Sequence, residues 1–255
     1  MPTMHTFETP GPVHLRVVNM CGRVSVRAGD RDHTDVEVTG VPSDDGEVSV
    51  EHRDHGGRHV VSVTVPRPRR RFLGLVTDDY VVEVSVPTGT SVHVVTASAD
   101  IDLSGPLADV EVKSASGDVR VDRCTTARLT VVSGDIVVER VEDGCTAGSV
   151  SGDIELGHAT GDVTARTVSG DLQVRCADDG VLTVRTVSGD VAIGVLRGSA
   201  VAVDVGSASG DLQSEFELSS TPDPDESDRP LVDVRVQTVS GDVRLTRAGD
   251  VAGAA

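Results

Sequence analysis

The residues whose type and spacing could do chemistry are a column of aspartates. Ser-Gly-Asp followed by an aliphatic residue recurs at Ser116-Gly117-Asp118-Val119, Ser133-Gly134-Asp135-Ile136, Ser151-Gly152-Asp153-Ile154 and Ser169-Gly170-Asp171-Leu172. It continues at Ser188-Gly189-Asp190-Val191, Ser209-Gly210-Asp211-Leu212 and Ser240-Gly241-Asp242-Val243. A worn copy, Ser98-Ala99-Asp100-Ile101, comes first, and the steps from Asp to Asp are 18, 17, 18, 18, 19, 21 and 31 residues. Stacked copies would bring the carboxylates to about 5 Å from one another, close enough to disfavour full ionisation without compensation. Such a ladder could hold cations, as Gly- and Asp-rich β-roll corners hold Ca²⁺ between turns. Those corners supply several oxygens per turn, whereas this one supplies a carboxylate and a hydroxyl. The column therefore reads as structural. Each Asp is expected to accept N–H bonds within its own turn, with Ser bonding alongside, and neither metal nor cofactor is expected.

Other candidates carry less. His52, His55 and His59 surround Asp54 in a Gly-containing turn, but a metal needs convergent ligands and a hairpin does not ensure them, so solvated turn histidines are expected. The only basic cluster, Arg67, Arg69, Arg70 and Arg71, runs directly into Phe72 and Leu73. It reads either as a contact loop for an acidic partner or membrane surface, or as a plain connection between strands. No nucleophile elbow, His-Glu-x-x-His or phosphate loop occurs. Ser-Gly-Asp occurs seven times, whereas a nucleophile would be singular and paired with a positioned His; the chain is not expected to be an enzyme.

The elements that must carry these corners follow from the repeat. Counting from each Asp, positions +1 and +3 are apolar and +2 is usually polar, as in Ile154-Glu155-Leu156 and Leu172-Gln173-Val174. That period of two marks a strand with one buried face. A second alternating run, such as Leu182-Thr183-Val184-Arg185-Thr186, leads up to the next Asp. A unit of about 18 residues cannot bury its own apolar face, but stacked copies can. The fold predicted is an all-β, single-stranded parallel β-solenoid with coils of about 18 residues, a right-handed β-helix by the absence of a hexapeptide pattern. Val121, Ile136, Leu156, Leu172, Val184, Ile193 and Leu245 should point inward. Residues 1–90 read as an irregular β section capping the solenoid, with an independent β-domain as the alternative. Residues 91–247 read as regular repeats, and 248–255 as a flexible tail. The acidic, Pro-containing loop 219–229 accounts for the 31-residue step and sits where it could guard a terminal edge after Leu245.

Composition narrows the partners. The formal net charge is −18, with no Trp, one Tyr and three Phe. Nucleic acid and anionic bilayers need clustered Lys and Arg, and base or sugar stacking needs aromatics; a protein partner remains. Four cysteines lack disulfide or zinc spacing. Met1–Pro12 is polar and no run is long enough for a membrane span, so the expected location is cytoplasmic. The Ser-Gly-Asp-aliphatic corners, the leading irregular β section and the acidic loop together resemble the bacterial putative-adhesin family of β-strand-repeat proteins (domain of unknown function 4097). That resemblance implies a β-solenoid. The expected function is a non-enzymatic scaffold or protein-interaction module. The alternative is a carbohydrate-active or polysaccharide-binding β-helix, which would show a cleft with two carboxylates and exposed aromatics.

Overall fold

The computed structural model describes residues 3–40, 48–66, 80–216 and 230–248, and among them every regular element is a strand. The chain forms two compact units, Met1–Val132 and Ser133–Ala255.

The first unit contains β1 (Thr3–Glu8), β2 (Val13–Gly29), β3 (His33–Thr39), β4 (Ser49–Asp54), β5 (His59–Thr64), β6 (Tyr80–Pro87) and β7 (Ser91–Ser116), and β8 (Val119–Ser133) ends it. The long strand β2 is flanked on both sides by parallel partners. Its first half pairs with β5 and its second half with β6, while β7 runs beside its whole length from His14 to Arg27. Antiparallel strands finish this unit: β4 on β5, β3 on β6 and β1 on β3. The alternation along Tyr80–Val86 sends every second side chain inward. Tyr80, Val82, Val84 and Val86 are each at most 4% exposed.

The second unit contains β9 (Ile136–Val141), β10 (Cys145–Ser151), β11 (Ile154–Ala159), β12 (Val163–Arg166), β13 (Leu172–Ala177), β14 (Gly180–Arg185) and β15 (Val191–Leu196). It ends with β16 (Ala200–Ser209), β17 (Leu212–Ser214), β18 (Leu231–Ser240) and β19 (Val243–Ala248). These strands form two parallel rows. One runs β10–β12–β14–β18–β16 and the other β9–β11–β13–β15–β19–β17. Register follows the repeat: Ile154 pairs with Leu172, and Leu172 with Val191. All seven residues expected to point inward are at most 1% exposed, and Ile154 joins them. Each such aliphatic contributes roughly 1.5–3 kcal/mol by leaving water.

One expectation fails here. The last repeat in the chain is not the last in space. β18 and β19 slot between β14–β15 and β16–β17, so among the described residues the outermost rung is Ala200–Ser214 and the terminal edge does not follow Leu245. The physical reason is that every rung carries the same corner and the same inward aliphatics. A long connection lets the last segment pass the preceding one and pair on both sides, satisfying backbone N–H and C=O groups that an end position would leave open.

Candidate functional site

At the Ser-Gly-Asp corner of the second unit, three successive N–H groups point alternately to two neighbours. The Gly N–H donates to the Ser carbonyl of one adjacent rung, as Gly170 does to Ser188 at 3.1 Å. The next aliphatic N–H donates to the Asp carbonyl of that same rung, as Leu172 does to Asp190 at 2.9 Å. Between them, the Asp N–H turns the other way and donates to the carboxylate of the opposite rung. Asp153 donates to Asp135 at 2.9 Å, Asp171 to Asp153 at 2.8 Å, Asp190 to Asp171 at 2.8 Å, Asp242 to Asp190 at 2.8 Å and Asp211 to Asp242 at 2.9 Å. In the first unit Asp118 donates to the worn copy's Asp100 at 3.3 Å.

This corrects the sequence expectation that each carboxylate serves its own turn. The carboxylate stands in for a main-chain acceptor and carries the ladder around the bend from rung to rung. The bend itself needs glycine. Gly189 has φ +140°, and a Cβ there would overlap the carbonyl oxygen of Gly170, so the rungs approach too closely for any side chain. The corner residues Ser116, Gly117 and Asp118 sit in the first unit, with Ser133 and Gly134 opening the second; all are at bends between consecutive strands.

Three residues before Asp153, Asp171, Asp190 and Asp242 lies an outward valine. Val150, Val168, Val187 and Val239 stand on neighbouring rungs of the second unit, between 46% and 54% exposed. Register pairs their strands at the spacing of a parallel sheet, so their side chains form a ridge with about 5 Å between members. Beside it run the exposed serines Ser151, Ser169, Ser188 and Ser240 and the exposed aspartates. Sequence reading passed over this ridge, although the recurring Val-Ser-Gly-Asp shows it. An alternating strand gives a valine at an odd position no inward role.

The family model for Toastrack DUF4097 matches residues 15–246. The chain belongs to that family. No protein with a curated description matches. Among solved structures, a putative adhesin from Parabacteroides distasonis is 15% identical, with 96% of this chain and 97% of that one covered at a TM-score of 0.45. A putative lipid binding protein from the same species is 11% identical, with 96% of each chain covered at a TM-score of 0.42. A putative cell adhesion protein from Clostridium sporogenes is 6% identical, with 97% of this chain and all of that one covered at a TM-score of 0.33.

Two of the three histidines expected to be solvated in a turn, His52 and His59, are not. His59 is buried, and its Nδ1 lies 3.1 Å from Nε2 of His52 across the β4–β5 pair. Phe7 of β1 packs on His52 with ring centroids 5.2 Å apart. The rings come together because antiparallel pairing sets His52 and His59 on neighbouring strands, whereas His55 stays in the exposed turn. The cluster Arg67, Arg69, Arg70, Arg71, Phe72 and Leu73 lies outside the described residues, as does the loop 219–229. A shallow open depression of about 310 Å³ in the first unit is lined by His14, Arg16, His93, Asp109 and Glu111 with aliphatic neighbours. It holds two carboxylates but no Phe, Tyr or Trp. Lys113, hydrogen-bonded to Glu111, holds that carboxyl below the usual range. No helix of the described residues is long and apolar enough to cross a membrane.

Proposed function

We propose that this Toastrack chain is a non-enzymatic scaffold, a right-handed β-solenoid whose Ser-Gly-Asp corner is the contact strip for a protein partner. The observation carrying this reading is the ridge of Val150, Val168, Val187 and Val239. Apolar side chains half-exposed in a continuous row are uncommon on a surface with nothing to meet. The flanking carboxylates set the partner's character: an apolar strip bordered by Lys or Arg. A second copy of the chain is a poor occupant, since two rows of aspartates would face each other on molecules of net charge −18. The depression in the first unit is lined by no Phe, Tyr or Trp on which a polysaccharide would stack, which favours the scaffold over the carbohydrate-directed alternative.

Site-directed photo-crosslinking decides it. A photoreactive residue at Val187 should yield a discrete protein adduct in cells, and one at Thr164, outward on β12, should not. Equal adducts from both positions, or none from Val187, would refute the contact strip.

A further inference from the structure

Away from the corner, at the far end of the post-corner strands, three side chains from neighbouring rungs of the second unit converge. His158 on β11 is the register partner of Cys176 on β13, one 18-residue repeat later. Asp178 follows β13 at once. Its N–H donates to Ala159 at 3.1 Å and its carbonyl accepts from Ser199 Oγ at 2.9 Å, so the backbone fixes where its carboxylate points. Nε2 of His158 lies 2.7 Å from Oδ2 of Asp178, and the Cys176 thiol donates to Oδ1 at 3.6 Å. A ring nitrogen, the sulfur and a carboxylate oxygen all lie within 4.8 Å of one another.

What such a group can do is limited by how it is built. It is not a nucleophile with its base: the thiol is fully buried, bonds to the carboxylate and not to the imidazole, and is pushed up to about 11, first by burial and then by the Asp178 charge. Reactive cysteines sit instead in exposed, electropositive surroundings. Nor is the group needed to hold the strands, which pair through their main chains. The other ring nitrogen, Nδ1 of His158, is buried and makes no hydrogen bond within the chain, so a single bond to Asp178 orients the ring. An ion taking Nε2, the sulfur and a carboxylate oxygen would replace the two hydrogen bonds that His158 and Cys176 make to Asp178, both inside the group.

We propose that His158, Cys176 and Asp178 form a binding site for a divalent cation of the zinc class. Sulfur with imidazole nitrogen selects a borderline-soft metal and disfavours Ca²⁺ and Mg²⁺, which take oxygen ligands. Three protein ligands leave a fourth tetrahedral position. His158 and Asp178 are partly exposed, at 18% and 26% of their side chains, and give that position to solvent. Binding exchanges the thiol proton for the metal: the S–H bond breaks, a sulfur–metal bond forms, and the proton leaves to solvent, while the Nε2 proton that donates to Asp178 passes to Nδ1 and frees the Nε2 lone pair for the ion.

The test uses Co²⁺ as a spectroscopic probe on the full chain after chelator treatment. One Co²⁺ per chain should bind, with a thiolate-to-cobalt charge-transfer band that Zn²⁺ removes by displacement. Cys176→Ser should abolish the band and weaken binding roughly a hundredfold or more, and His158→Asn and Asp178→Asn should each weaken it by roughly tenfold to a hundredfold. His52→Asn, in the other histidine pair, should change nothing. Asp178→Asn alters a partly exposed side chain and so keeps the test meaningful should Cys176→Ser fail to fold. Absence of a thiolate band, or unchanged affinity in Cys176→Ser or in the folded Asp178→Asn protein, would overturn the site.

Discussion

In the first unit β2 lies between β7 and the β5–β6 pair, although the chain makes β5 and β6 only after β2. In the second unit β18 and β19 lie between β14–β15 and β16–β17, although they are made last. Each unit therefore places one strand pair out of chain order, yet the two outer pairs are finished differently. β5 and β6 are covered by β4 and β3, which run antiparallel to them. Among the described residues no strand pairs with the outer side of β16 or β17. The side chains register the difference. Val82, Val84 and Val86 of β6 are buried, whereas Val201, Val203 and Val205 of β16 have the same alternation and remain half-exposed, and Leu212 of β17 is 44% exposed. The sequence pattern is equal and the burial is not: what an aliphatic contributes here is set by whether a neighbouring rung covers it.

The sharpest way to break this comparison is to place a charge at matched positions. Val84→Asp buries an unpaired carboxylate between β2 and β3 and should cost about 4–5 kcal/mol or more, enough to unfold the first unit. Leu212→Asp should cost about 1 kcal/mol, because its side chain reaches water. Urea denaturation followed by circular dichroism would separate the two. Equal losses would mean that the outer face of β17 is covered after all.

Glycine replacements probe the same contrast at lower amplitude. A Cβ at Gly22 would overlap the carbonyl oxygen of Tyr80, and one at Gly210 that of Gly241; both backbones have positive φ, +101° and +137°. Strain of about 1–3 kcal/mol applies at both. At Gly22, held between rungs on either side, overpacking adds about 1–3 kcal/mol. The outer rung at Gly210 can shift away from its single neighbour and escape that addition. Thermal melts should rank Gly22→Ala well below Gly210→Ala. Hydrogen exchange extends the contrast without mutation: amides of β16 should exchange roughly a hundredfold faster than those of β6 through local opening of the outer rung, and similar protection in both would contradict the open edge.

Much of this was legible in the residues. The period of two around Ile154-Glu155-Leu156 fixes which side chains face inward, and Ser-Gly-Asp marks the bend ahead of β8, β9, β11, β13, β15, β17 and β19. Strand direction is different. His33–Thr39 alternates just as Tyr80–Val86 does, and alternation is the same for parallel and antiparallel neighbours. Spatial order was hidden for a related reason. Asp190, Asp211 and Asp242 sit in interchangeable corners, so no residue says which rung pairs with which; only the 31-residue step offers the length to pass one by. His158 and Cys176 lie 18 residues apart, one full repeat, and the period alone aligns them. Asp178 escapes that arithmetic because it stands in the connection after the strand.

The smallest effect tests the order of the rungs most directly. If neighbours followed the chain, Asp211 would accept the Asp242 N–H and Asp242 would be the last carboxylate, with nothing to accept. In the structure the Asp242 carboxylate accepts the Asp211 N–H at 2.9 Å, and among the described residues no N–H reaches the carboxylate of Asp211. Replacing Asp242 with Ala therefore removes one charge-assisted hydrogen bond and should cost about 1–2 kcal/mol. Asp211→Ala removes none and should be nearly neutral. Both side chains are exposed, so neither replacement opens a cavity, and the difference between them reports the hydrogen bond. Their melting temperatures in parallel scans would settle the matter: a larger loss from Asp211→Ala than from Asp242→Ala would restore chain order and remove the inserted rung.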